Sequence, residues 1–149
     1  MVKNIFPITV GDGRTTEELV LAGDYRSSSH IINSENFPTR NLKNGTREII
    51  LLEFDHEPTL EQVLAKATEE GNLERPNYED ALYFGEQYPD VQREKPVVFL
   101  HEPRLDGPRG TRGVLCLFSS GIAGGRCIGL GWFKDKWQHN CCFAFVKKL

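Results

Sequence analysis

Before Pro96 the apolar residues recur mostly at helical spacing, and after it they gather into short runs, so helices are expected first and strands later. Thr15 stands three residues before Glu18, the spacing at which each side chain satisfies a free backbone N–H of the other. A helix is predicted from there to about Ala22, with Gly23 beyond it. Pro58 and Thr59, with Gln62 at the same spacing, open a second helix to Glu70 in which Leu60, Val63, Leu64 and Ala67 form one stripe. Asn77 and Asp80 begin a third, with Tyr78, Ala81, Leu82 and Gly85 along one side and Pro89 at its close.

Within the first part, Ile49–Leu52 is a continuous apolar run, which suits a strand covered on both faces and therefore central to a sheet. The second part writes Val97–Leu100, Val114–Phe118, Arg126–Phe133 and Cys141–Val146 between Gly- and Pro-rich stretches, and four strands in succession predict an antiparallel meander. In the third of these Ile128, Leu130 and Trp132 share one face, while Cys127, Gly129, Gly131 and Phe133 share the other, where the glycines admit a close neighbour. Residues 24–44 are polar and broken by Ser27–Ser29, Pro38 and Asn44-Gly45, and read as loop with one short strand at His30–Ile32. The expectation is a single α+β domain over residues 1–149, with two or three helices on one face of a four- or five-stranded, largely antiparallel sheet.

Length changes this picture little: 149 residues suffice for one core and are too few for two comfortable ones. The amino-terminal apolar run is too short for a secretory signal and no stretch is long enough to span a membrane, so a cytoplasmic address without membrane contact is expected. In that compartment Cys116, Cys127, Cys141 and Cys142 are expected as thiols. Charge is uneven: residues 1–90 hold 8 Lys/Arg against 17 Asp/Glu, and residues 91–149 hold 10 against 4. Either acidic helices neutralise a basic sheet within one molecule, or the basic part meets an anionic partner.

Three constellations carry candidate chemistry. Phe-x-His-Glu-Pro-x-Leu occurs twice, from Phe54 and from Phe99, each time after a predicted strand. Were those strands parallel neighbours, His56, Glu57, His101 and Glu102 would meet at one sheet edge, a sensible acid–base or divalent-metal site. A turn at Ser120–Ala123 would set Cys116 opposite Cys127, and with Cys141 or Cys142 and His139 these would give a zinc-ligand set, against the simpler reading of buried thiols; no metal is expected. The third is the basic tail, where Trp132, Lys134, Lys136, Trp137 and His139, with Arg126 upstream, combine indoles and cations as a ligand-facing loop; Trp137 folded onto the core is the alternative. Gly121–Gly125 matches neither dinucleotide nor phosphate-loop spacing, and no cofactor is expected.

The segment LYFGEQYPDVQREKPVVFLHEP (Leu82–Pro103) and the ending GLGWFKDKWQHNCCFAFVKKL resemble a set of short uncharacterised proteins of candidate-phylum bacteria. In that set a helix ending in FG-x-x-YP-x-x-Q leads to a buried strand and a tryptophan-rich, strand-forming tail. The resemblance spans the carboxyl-terminal half and implies that helices and tail belong to one fold; it implies no activity. No complete catalytic set emerges, and the residues read as a non-catalytic intracellular module that binds a protein or small ligand. The rivals are single-stranded nucleic-acid binding through the basic tail, and a metal-dependent enzyme using the two His-Glu segments.

Overall fold

In a computed structural model, which describes residues 5–39, 42–107, 112–120, 125–133, 137 and 140–148, each capping spacing read from the sequence is filled. Thr15 with Glu18, Thr59 with Gln62 and Asn77 with Asp80 form reciprocal capping boxes at the starts of α1 (Thr16–Ala22), α2 (Leu60–Glu70) and α3 (Tyr78–Gln87). A fourth, single-turn helix α4 (Val91–Glu94) follows Pro89. No helix among the described residues is long and apolar enough to cross a membrane.

The strands are β1 (Ile5–Val10), β2 (Ser27–Ser28), β3 (Gly45–Glu53), β4 (Leu73–Glu74), β5 (Val97–Phe99), β6 (Leu105–Asp106), β7 (Arg112–Ser120), β8 (Gly125–Phe133) and β9 (Cys142–Lys147). They make one sheet of order β1-β3-β9-β5-β7-β8-β2, with β4 beside β9 and β6 beside β7. The α+β class stands, but the expected four- or five-stranded, largely antiparallel sheet does not. Nine strands are present among the described residues and the sheet is mixed, because β5 runs parallel to β9 and β2 parallel to β8.

The meander fails at one step, and the step has a clear cause. β5, β7 and β8 are antiparallel neighbours, but β9 leaves β8 and enters between β3 and β5. Its first five residues, Cys142–Val146, are all buried, and such a strand needs cover on both faces that the sheet margin beside the two-residue β2 cannot give. His30–Ile32 is not a strand. Instead, Ile32 and Phe37 turn inward and the segment lies over α3, with the Tyr78 hydroxyl donating to Pro38 O at 2.5 Å.

Alternation along the central strands divides the core in two. Ile49, Val97, Phe99, Leu115, Leu117, Ala144 and Val146 meet α1 and α3 on one face. Ile50, Leu52, Val98, Leu100, Val114, Phe143 and Phe145 meet α2 on the other. Helices therefore cover both faces, not one. α3 is enclosed between sheet and α1, which buries Asp80; Arg47 answers that carboxylate with two donors at 2.7 and 2.8 Å, and the Asn77 backbone N–H adds a third at 2.8 Å.

Candidate functional site

The two His-Glu segments are carried to opposite ends of the sheet. β3 is antiparallel to β9 and β9 parallel to β5, so the chain leaves β3 toward His56 at the end where β5 begins, and leaves β5 toward His101 at the other. His101 is buried: the Glu102 carbonyl lies 2.8 Å from Nδ1, and Nε2 accepts the Leu115 N–H at 3.0 Å. Burial lowers its pKa to about 4, and both ring nitrogens are occupied by backbone. His56 is half exposed beside Asp55, and Glu57 is exposed. Glu102 is an exposed partner of Arg75 at 3.1 Å. The geometry that a joint acid–base or metal site required is absent, because β9 reverses the relation between β3 and β5.

The tail residues separate in the same way. Trp137 is 9 % exposed: its ring packs edge-on to Phe143 at 6.0 Å, and its backbone N–H donates to Pro58 O at 2.9 Å. The close neighbours that the strand glycines admit are Phe118 at Gly129, and Cys116 with this indole at Gly131, where a Cβ would fall 2.4 Å from Cys116 Sγ and 3.2 Å from the Trp137 ring. Trp132 points to the opposite face of β8, lies over Gly113 and is 40 % exposed. Lys134, Lys136 and His139 lie outside the described residues.

Arg126, expected at a ligand, is a buried strut. Its guanidinium donates to the carbonyls of Gly23, Gly85 and Pro89 and to Gln92 Oε1, and its face lies 4.7 Å from the Tyr25 ring. The zinc reading loses its register: Cys116 stands opposite Gly129, and Cys127 opposite Phe118. The two strands meet at Ser120 and Gly125, which shifts the centre of the hairpin by one residue from the turn expected at Ser120–Ala123. All four cysteines are buried thiols.

What the structure assembles instead is a hollow of about 360 Å³ beneath α4, where β1, β3 and β9 end. Phe6, Leu51 and Val91 give it an apolar floor; Glu53, Lys95 and Cys142 stand together at its side. Glu53 is the last residue of β3 and pairs directly across with Cys142, the first of β9. Lys95 follows α4, and the Cys142 N–H donates to Pro96 O at 2.8 Å, which fixes the segment after α4 against β9.

The three polar groups are coupled. Lys95 Nζ donates to Glu53 Oε1 at 2.6 Å, and the Cys142 thiol donates to the same oxygen at 3.5 Å. The lysine's hydrogen bond, opposed by partial burial, holds Glu53 below the usual carboxylate range, and Glu53 in turn raises Lys95. Burial, then the neighbouring carboxylate, pushes Cys142 up to about 12, so the sulfur keeps its proton at neutral pH and is a donor, not a nucleophile. Two larger hollows, about 640 Å³ each, are edged mainly by charged residues: one at Tyr25 and Arg126, where Arg93 pairs with Asp90, and one along α2. Of these three, the smaller hollow has the more apolar lining, and it joins that floor to the convergent Glu53, Lys95 and Cys142, a combination typical of ligand sites.

Sequence reasoning missed all of these residues. Glu53 closes a buried strand and Cys142 opens another, but nothing in the text indicates that those strands are neighbours across 89 positions. No family model, curated protein or solved structure matches the chain.

Proposed function

We propose that this chain is a non-catalytic, cytoplasmic binding module that takes a small ligand in the hollow beneath α4. The observation that carries the reading is the meeting of Phe6, Leu51 and Val91 with the Lys95–Glu53–Cys142 hydrogen-bonded set. An apolar floor supplies affinity through dehydration, and a few fixed polar groups orient what enters. A thiol held near pKa 12 favours binding over covalent chemistry, since a negligible fraction is ionised at neutral pH.

The test is a fragment screen by backbone amide NMR, in which hits are expected to shift Leu51, Val91 and Cys142 together. Leu51→Trp, which fills the hollow, should abolish those hits while leaving the amides around Trp132 unmoved. Hits that cluster on the Tyr25–Arg126 hollow, or hits that persist in Leu51→Trp, overturn the proposal.

A further inference from the structure

The geometry points to a ligand class for this hollow: a small cation with an apolar body, such as an aryl- or alkyl-substituted primary amine. The inference rests on the binding reading above and deepens it. Three carboxylates, Glu53, Asp90 and Glu94, line the hollow against one cation, Lys95. Asp90 and Glu94 are both exposed, and Asp90 already pairs with Arg93 at 3.2 Å. Both hydrogen bonds made to the Glu53 carboxylate fall on Oε1, and Oε2 accepts none from a described residue.

The Glu53 side chain is half exposed, with its first oxygen engaged by Lys95 and Cys142 and its second open to what enters the hollow. Its second oxygen is the acceptor an ammonium group requires, and a charge-assisted bond there is about twice as strong as a neutral one. Lys95, the one cation among the lining residues, is engaged by Glu53, so an anionic head would meet three carboxylates and no unpaired cation there. The volume, about 360 Å³, sits at the low end of small-molecule sites, roughly 300–1,000 Å³, which limits the body to a ring or short alkyl chain on Phe6, Leu51 and Val91.

Three probes of matched size separate the alternatives in the full chain: phenethylamine, 2-phenylethanol and 3-phenylpropionate, each titrated while the amides of Leu51, Val91 and Cys142 are followed. The expected result is that phenethylamine binds roughly tenfold more tightly than the alcohol, that the propionate is weakest, and that added salt weakens the amine alone. Glu53→Gln should remove the amine's advantage. Glu94→Gln, on an exposed side chain whose loss does not threaten folding, should remove part of it. Equal or tighter binding of the alcohol or the propionate in the hollow overturns the cationic assignment and leaves the binding module standing. Absence of shifts with all three probes overturns both.

Discussion

Two side chains report on their surroundings strongly enough to be tested one at a time. Trp137 closes the face of the core that α2 covers, packed on Phe143 and over Gly131, so Trp137→Ala should cost on the order of 3–5 kcal/mol, the usual range for a buried aromatic, read from denaturant unfolding. A loss near zero would return the indole to the surface. His101 gives a pH signature. Burial, with smaller contributions from Arg75 and Arg104, lowers its pKa in the folded chain from 6.5 to about 4. Its contribution to stability is therefore complete above pH 6.5 and declines as pH falls toward 4, because the unfolded chain takes up the proton first. The span corresponds to on the order of 3 kcal/mol. Unfolding free energies at pH 7 and pH 4.5 should differ less in His101→Gln than in the parent chain, and equal acid losses in both would refute the assignment.

At the scale of elements, the strands at the sheet margins are handled differently from those inside. β1 is an outer strand, and its open side is closed by the end of α3: the Gln87 amide both accepts from Thr9 N at 3.0 Å and donates to Thr9 O at 2.8 Å, while the Tyr88 hydroxyl donates to Pro7 O at 2.6 Å. Pro7 itself has no N–H to offer a further strand. Gln87→Ala should cost about 1 kcal/mol and selectively speed hydrogen exchange at the Thr9 amide, with the inner strands unchanged. Uniform acceleration throughout the sheet would mean that α3 does more than cap this edge. The capping boxes that start α1, α2 and α3 were legible because each is written within four consecutive residues. β1, α4 and the two-residue β2, β4 and β6 were not, since β1 shows only a partial alternation around Pro7 and the others are too short to show a period.

For the molecule as a whole, β9 is an inner strand of the sheet that joins β3 to β5. β9 pairs with β3 on one side and β5 on the other, and its Phe143 and Phe145 face α2 while Ala144 and Val146 face the cluster under α3. Truncation after Asn140 should therefore leave no cooperative melt by circular dichroism, because two inner strands lose their partner and both core clusters lose residues. A truncated chain that still melts cooperatively would show that β3 and β5 hold together without it. Two ion pairs join the basic part to the acidic part, Lys95 with Glu53 and Lys147 with Glu48, but both carboxylates belong to β3 and not to the acidic helices from which neutralisation was expected. By itself the sequence determined the three capped helices, the buried character of the Ile49–Leu52, Val97–Leu100 and Cys141–Val146 runs, and the α+β class. All of these depend on residues within a turn or a strand of one another. Tertiary structure alone decided strand order, and with it that His56 and His101 lie at opposite ends, that Trp137 is core, and that Glu53, Lys95 and Cys142 share one hollow. Apolar runs state that a strand must be covered on both faces without naming its neighbours, and a site built from three such neighbours becomes legible only when they are placed side by side.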